Sequence, residues 1–206
     1  MGKIYYILGK SSTGKDTIYN KIMEEGGLNL KKILMYTTRP IREGEEQGKD
    51  YFFVTEDEYY HLKENGYLIE MRSYQTIHGI WRYFTVNDTQ IDLCKNSYMM
   101  IGVLTSYLST KDYFGEDNVV PIYIELDDGV RLQRALDREK MQGEPKYAEL
   151  CRRYLSDSAD FAEEKIEKAG ITKRFLNNDL ETCVREVREY ILKKERAVES
   201  CGYQSK

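Results

Sequence analysis

The sequence predicts an α/β fold in three layers, in which helices cover both faces of a mainly parallel sheet. Segments of strand length that are rich in apolar and β-branched residues alternate along the chain with segments of helical period. A glycine-rich turn joins the first strand to the first helix. The length of 206 residues suits one globular domain. Hydrophobic residues at 41% and charged residues at 32% are typical of a folded chain rather than a disordered one.

Charge and composition argue against several classes of protein. The formal net charge of −4 gives no general attraction to nucleic acid or to a membrane surface, and no segment approaches the roughly 20 apolar residues of a membrane span. The first strand starts at once, so no signal peptide is expected. The cysteines form no Cys-x-x-Cys pair and are expected to be reduced thiols in a cytoplasmic protein: Cys94, Cys151, Cys183 and Cys201.

The first strand is expected at residues 3–8 and the first helix at 18–25. Between them, Gly-Lys-Ser-Ser-Thr-Gly-Lys has the spacing of a phosphate-binding loop, or P-loop. Glycine lets the backbone curl so that successive N–H groups face one anion, and the lysine adds a charge for the outer phosphates. The motif predicts that a nucleoside triphosphate, ATP, binds at Gly9, Ser11, Ser12, Thr13, Gly14, Lys15, Asp16 and Thr17.

One position departs from the usual motif, in which a serine or threonine follows the lysine and contacts Mg²⁺. That position holds Asp16, and the hydroxyl comes one residue later at Thr17. Either side chain is a candidate metal ligand, since carboxylate oxygen suits a hard cation, but a carboxylate also repels phosphate. The alternative is an ordinary strand–turn–helix with an acidic residue at the helix N-terminus.

The next segment predicts a small strand-rich lobe at residues 36–96, inserted into a core formed by 1–35 and 97–194. After a second strand at 33–37 comes a polar, glycine-punctuated stretch that predicts an exposed loop. The other elements expected in the lobe are a strand at 51–54, a helix from the capping box Thr55-x-x-Glu58 to about residue 65, and strands near 67–74 and 79–85 joined by a turn at His78-Gly79.

The core then resumes with strands at 98–104, 119–126 and 174–177. The expected helices cover 106–114, a segment capped by Asp127 or Asp128, a long amphipathic stretch at 146–168, and a last helix through Ile191. On the long helix, the residues expected to face inward are Leu150, Tyr154, Leu155, Phe161 and Ile166. The segment 142–145 ends the helix capped by Asp127 or Asp128. A lid is expected at about 138–153, and residues 195–206 are expected to be a frayed tail.

The loop after the second strand carries Arg39 and Arg42, three residues apart and expected on an exposed turn, and Tyr51 follows. Arginine binds phosphate in a bidentate way. Two such residues alone are more often solvated charges, but with a P-loop upstream they favour a clamp on a second phosphate. The loop contains the run Thr-Thr-Arg-x-x-Arg-x-Gly-Glu, followed by Gly-x-Asp-Tyr-x-Phe-Val, and this pattern resembles the guanylate kinase family. The resemblance extends over roughly residues 3–193.

The resemblance implies that the γ-phosphoryl group of ATP, with Mg²⁺, is transferred to a nucleoside monophosphate, with GMP the family's acceptor. It implies acceptor-binding residues at Arg39, Arg42, Glu45, Tyr51, Glu70, His78 and Gly79. Among these, Glu70 would accept from the guanine edge. The alternative for Glu70 is a surface carboxylate on the open face of a strand.

Part of the acceptor half departs from the family. Its tyrosine and small hydroxyl residue correspond to His78 and Ile80, and its Asp-x-Asp acids are absent, with Ile101 and Val103 at polar positions. The identity of the base is therefore open. Trp81 and Tyr83 are candidates for stacking on a base or for the core.

A third group of residues predicts an arginine lid that offsets charge on the transferring phosphoryl group. Arg131, Arg134 and Arg138 share one helical face. The resemblance makes Lys15, Arg134, Arg138 and Arg153 catalytic, with Arg152 the alternative to Arg153. A basic helix face paired with Asp137, Glu139 and Asp157 is the alternative reading of the cluster. The resemblance also places Asn177 beside adenine, whereas Asn178 or Asp179 could simply cap the last helix.

The sequence thus predicts an ATP-dependent nucleoside monophosphate kinase that converts GMP to GDP and binds only small nucleotides, as a monomer or homodimer. Two alternatives stay open. One is a catalytically weak or inactive guanylate-kinase-like binding module, which Asp16 and the missing acids favour. The other is a kinase for a different phosphorylated acceptor, which Ile80 and the acid-free strand favour.

Overall fold

The computed structural model describes residues 1–76 and 79–202, with side chains described through residue 196. A five-stranded, all-parallel sheet in the order β2-β7-β1-β8-β9 forms the core. Its strands are β1 (Ile4–Leu8), β2 (Leu30–Lys32), β7 (Ser97–Gly102), β8 (Val119–Glu125) and β9 (Arg174–Leu176). The predicted α/β class with a mainly parallel sheet is confirmed.

The second sheet has the order β4-β3-β6-β5 and is mostly antiparallel. It consists of β3 (Tyr36–Thr37), β4 (Phe52–Phe53), β5 (Leu68–Thr76) and β6 (Gly79–Val86). Between β4 and β5 lies a helix whose predicted capping box is present, because Thr55 and Glu58 bond each other's backbone N–H groups. Residues 77–78, which include the predicted turn residue His78, lie outside the described part of the chain.

Helices cover both faces of the core sheet. They are α1 (Lys15–Glu25), α2 (Glu56–Glu64), α3 (Leu104–Phe114), α4 (Asp128–Lys140), α5 (Tyr147–Asp160), α6 (Glu163–Lys168) and α7 (Leu180–Gly202), α2 being the helix of the small sheet. Alternate residues of β1 explain the layers: Tyr6 packs into a cluster with α3 and α6, and Ile7 into a cluster with α1 and α7. No helix of the described residues is long and apolar enough to span a membrane.

Three expectations about elements are wrong. The segment expected as one strand at 33–37 leaves the core sheet after β2 and enters the small sheet only at Tyr36, so it crosses between sheets. The long helix expected at 146–168 is two helices, which break where Phe161 turns inward to stack on Tyr123. Leu155 is 68% exposed rather than inward-facing, because α5 packs on α4 through its other face.

The expected tail is helical as well. The helix α7 continues to Gly202, past residue 194 where periodic structure was expected to end. Glu195 explains the continuation, since its carboxylate accepts hydrogen bonds from the Tyr5 hydroxyl at 2.6 Å and the Ser97 hydroxyl at 2.9 Å. The last helix is thereby tied to two strands of the core sheet.

Candidate active site

The P-loop lies at the carboxyl end of β1, and the helix α1 begins at Lys15. Gly14 is the N-cap of α1 with a φ of 88°, a conformation that favours glycine. A Cβ atom on Gly9 would overlap the carbonyl oxygen of Ile124, so the loop approaches β8 at backbone distance. Ser12 has a φ of 64°, and the Thr13 hydroxyl donates to the Lys10 carbonyl at 2.9 Å. The loop therefore has the curled backbone that an anion cradle requires.

Asn177 fixes the loop from the other side. It is buried, and its Nδ2 donates to the Thr13 carbonyl at 2.7 Å. A Cβ atom on Gly14 would overlap that same Nδ2. In this structure Asn177 thus contacts the P-loop backbone, and Asp179 supplies the predicted N-cap of α7 by accepting from the Thr182 N–H at 2.9 Å.

Substitution of Gly14 by alanine is expected to destabilise the protein by about 1–3 kcal/mol, because the new Cβ combines an unfavourable φ with an overlap on Asn177. The melting temperature in a thermal unfolding experiment should fall by about 2–4 °C for each kcal/mol lost, and ATP should bind less tightly. The control is Gly143→Ala, where a Cβ atom would meet nothing within 4 Å. An unchanged melting temperature for Gly14→Ala would contradict this role.

Two of the arginines predicted to belong to a lid lie beside the P-loop. Arg138 Nη2 is 3.4 Å from Ser12 Oγ, and Arg134 Nη1 would lie 3.9 Å from a Cβ atom on Gly14. Arg153 is instead near two carboxylates, 3.8 Å from Glu139 and 3.7 Å from Glu149. The structure therefore brings Arg134 and Arg138 to the loop, whereas Arg153 on α5 lies beside the buried Glu139 of α4, which also accepts from the Lys146 N–H.

Arg131 is on α4 with Arg134 and Arg138, but its surroundings could not be predicted from the sequence. Its side chain is buried over the Tyr154 ring, 4.2 Å from the centroid, and donates to Asp128 at 3.0 Å and to the Ser11 carbonyl at 3.3 Å. Asp157 lies 3.4 Å from Arg131 Nη1 and accepts from the Ser11 N–H at 2.7 Å. Helices α4 and α5 are thus both bonded to the P-loop backbone, through residues too distant in sequence to form a motif.

The start of α1 carries the residues expected at the outer phosphates. Lys15 Nζ lies 3.5 Å from a carboxylate oxygen of Asp16, whose side chain is exposed, as is Thr17. The glycine cradle, the lysine and the two arginines suit the negative charge of a triphosphate. In the described part of the chain, no three His, Cys, Asp or Glu side chains gather in a metal-binding group. Asp16 or Thr17 as a Mg²⁺ ligand stays a prediction.

Arg39 is buried, which corrects the expectation of an exposed turn. Its guanidinium makes a bidentate contact with Glu45, at 2.6 and 2.7 Å, and Nε donates to the Tyr83 hydroxyl at 3.0 Å. The contact lowers the pKa of Glu45 to about 2, so the pair is ionised at neutral pH. Arg42 is exposed, and its backbone N–H donates to Glu45 at 2.9 Å. The Tyr51 ring centroid is 5.2 Å from the Arg39 guanidinium carbon.

Arg39, Glu45 and Tyr51 therefore form one cluster, to which Arg42 contributes its backbone N–H, while its guanidinium carbon lies 5.9 Å from the Trp81 ring centroid. Glu70 is also buried, which rules out the alternative of a surface carboxylate. The Thr85 hydroxyl donates to Glu70 Oε1 at 2.9 Å, and burial raises the pKa of Glu70. Gly79 opens β6, beyond the undescribed residues, and is exposed with a φ of 101°.

A parallel sheet whose first strand leads into this loop and helix defines a P-loop nucleotide-binding protein. A family model described as guanylate kinase matches residues 1–82. The guanylate kinase of Malacoplasma penetrans is 30% identical over 183 residues, which span 85% of this chain and 81% of that protein. The chain belongs to the guanylate kinase family.

Two further comparisons extend over nearly the whole chain. The guanylate kinase of Porphyromonas gingivalis is 28% identical over 195 residues, 93% of this chain and 97% of that one. The crystal structure of guanylate kinase from Anaplasma phagocytophilum superimposes with a TM-score of 0.66 at 21% identity, covering 94% of this chain and 86% of that chain. The last match supports the fold.

Proposed function

We propose that this protein transfers the γ-phosphoryl group of ATP, in the presence of Mg²⁺, to GMP and so forms GDP and ADP. The observation that carries the proposal is that this member of the family has two separate groups of cationic side chains with the chemistry to bind phosphate. One is the P-loop with Lys15 and Arg138, and the other is the group of Arg39, Arg42 and Tyr51. Transfer of a phosphoryl group from one nucleotide to another requires a binding site for the phosphates of each.

The topology supports a common location for the two clusters. The P-loop follows β1, and α3 follows the adjacent parallel strand β7, so both start at the same edge of the sheet. The helix α3 packs against β5 of the small sheet, which carries Glu70. We therefore propose that the lobe at 36–96 binds the acceptor on this edge and that the lid at about 138–153 covers the triphosphate, with Asn177 on the adenine side.

The proposed mechanism is positioning plus electrostatic stabilisation. Lys15, Arg134 and Arg138 would offset the charge that spreads over the transferring group, and Arg153 would join them if the lid moves. The acceptor phosphate is already an anion, so no general base is needed. Bound Mg²⁺ would neutralise phosphate charge, held by Asp16 or Thr17. Closure of the lid would exclude water, which prevents hydrolysis of ATP.

Specific observations favour the two rival functions. The Asp16 carboxylate beside Lys15 would weaken phosphate binding, which suits a weak or inactive binding module. The exposed Ile80 and the apolar Ile101 and Val103 suit a kinase for another phosphorylated acceptor. An inactive binding module would release no ADP with any acceptor, and a kinase for another acceptor would release ADP without preferring GMP.

The test is ADP release by the purified protein with ATP, Mg²⁺ and each common ribo- or deoxyribonucleoside monophosphate in turn. GMP is expected to give the highest kcat/KM, at least about tenfold above the others, since a site that hydrogen-bonds its base rejects bases that leave it unpaired. Arg42→Gln should raise the KM for GMP about tenfold or more by removing a charged phosphate contact, with the KM for ATP unchanged.

Lys49→Gln is the matched control for the arginine, since it lies in the same loop and pairs only with Glu46 among the side chains described. It should leave both KM values within twofold. No ADP with any acceptor would refute the kinase proposal. Turnover of a different monophosphate in preference to GMP would refute the acceptor while leaving the reaction type intact.

A further inference from the structure

Glu70 and Arg72 form an unusual buried pair on β5. They are two residues apart, so their side chains share one face of the strand. The side chains are only 1% and 15% exposed, and Glu70 Oε2 lies 3.4 Å from Arg72 Nε. Neither atom has a hydrogen-bond partner in the described structure, although both are buried. Buried polar atoms are nearly always hydrogen-bonded, so two that face each other as an ion pair without a hydrogen bond are candidates for contact with a ligand.

The surroundings leave Glu70 Oε2 and Arg72 Nε without a hydrogen bond, and Glu70 Oε1 has a second lone pair. Glu70 Oε1 already accepts from Thr85, and Arg72 Nη2 contacts the sulfur of Met35 at 3.2 Å, which is a weak acceptor. Arg72 lies on the same face of the small sheet as Tyr83, directly opposite it in the register, and the Tyr83 ring contacts the Tyr51 ring with centroids 5.8 Å apart. Tyr83 also accepts from Arg39, so Arg72 is adjacent in the sheet to the cluster that holds Arg39, and its Nε is oriented towards Glu70.

The complementary ligand is a base edge with donors and an acceptor next to one another. Guanine has such an edge, with N1–H and the 2-amino group as donors and O6 as acceptor. A carboxylate suits the donors, and a guanidinium is a strong partner for O6. The hydroxyl that the family places near the base corresponds to Ile80, which has no donor to offer.

We propose that Arg72 determines base specificity: it donates to O6 of the acceptor's guanine while Glu70 accepts from N1–H and the 2-amino group. This inference rests on the proposed function, because it needs a guanine nucleotide in the acceptor site. It explains how a site without the family's hydroxyl still selects a 6-oxopurine.

The test compares direct binding of three monophosphates by titration calorimetry, without ATP. GMP presents all three groups, IMP lacks only the 2-amino group, and 6-thio-GMP has a weakly accepting sulfur in place of O6. Arg72→Met should weaken GMP and IMP by the same factor, about 10–100-fold for loss of a charged hydrogen bond, and 6-thio-GMP by less than about threefold. Glu70→Gln should instead weaken GMP more than IMP.

Arg82→Met is the matched control. Arg82 belongs to the neighbouring strand β6, but its side chain pairs with Glu56 and stacks on Tyr59. It should bind all three ligands as the wild type does. Circular dichroism checks the fold of each variant. If the methionine variant does not fold, the wild type provides the comparison: it should bind 6-thio-GMP about 10–100-fold more weakly than GMP, because sulfur is a weak acceptor for the Arg72 donor.

Three results are informative. Equal weakening of GMP, IMP and 6-thio-GMP in Arg72→Met would mean that Arg72 only neutralises Glu70, and the inference would be wrong while the proposed function stands. Unchanged binding of GMP would mean that Arg72 does not contribute to binding of the base, and the inference would again be wrong while the proposed function stands. A wild-type protein that binds a different monophosphate and no guanine nucleotide would overturn both this inference and the proposed acceptor.

Discussion

Replacement of Lys15 by methionine is expected to reduce kcat for phosphoryl transfer by about 10²–10³-fold, the range measured when one group that stabilises transition-state charge is removed. Lys15 begins α1, where its charge adds to the positive end of the helix dipole, and its side chain is largely shielded from water. Methionine keeps the length of the aliphatic stem but has no charge. Steady-state ADP release measures the loss, and thermal unfolding shows whether the fold is retained.

Lys21→Met is the matched control, because Lys21 is on the same helix and pairs with Glu181 at 2.5 Å on the surface. Exposed ion pairs contribute little, so kcat should stay within twofold of the wild type. If Lys15→Met retained wild-type kcat, the Gly–Lys turn would not hold the reacting triphosphate, and the assignment of the ATP site would have to be abandoned.

The parts of the fold that depend on local sequence could be predicted. The alternation of strand and helix patterns gives the parallel sheet, the P-loop is recognised from seven consecutive residues, and the capping box at Thr55 starts α2 where expected. Each of these features is decided by residues close together in the chain. The same is true of Asp127, which accepts from the Gly129 and Val130 N–H groups and caps α4.

Errors arose where distant contacts override a local pattern. Arg39 has the neighbours of an exposed turn residue, but Glu45 and Tyr83 enclose it. Arg131 has the spacing of a lid arginine, yet Asp157, 26 residues away, holds it against the P-loop. The helical period of apolar residues does not show which face of α5 packs against another helix, and the prediction that Leu155 faces inward is wrong for this reason. Pairing and burial of charge depend on the tertiary structure and could not be derived from spacing.

The second large effect concerns Arg138, where a conservative change to lysine is expected to lower kcat by about 10–100-fold. Arg138 Nη2 lies 3.4 Å from Ser12 Oγ, at the edge of the loop where the outer phosphates would be held. A guanidinium presents several fixed donors to phosphate oxygens, and lysine presents one mobile charge, so the geometry is lost while the charge is kept. The KM for ATP should change less than kcat, because the contact is stronger in the transition state than in the ground state.

Arg152→Lys is the matched control, because it makes the same substitution at an arginine that does not contact the P-loop in this structure. Arg152 belongs to the same lid, but its fork is occupied by Glu149 on the surface, at 2.7 Å for both contacts. It should leave kcat within twofold of the wild type. If Arg152→Lys lowered kcat and Arg138→Lys did not, the returning helix would supply the catalytic arginine. The helix α5 would then have to rotate on closing so that Arg152 leaves Glu149 and faces the P-loop, because in the present structure Arg138 is the residue that contacts the loop.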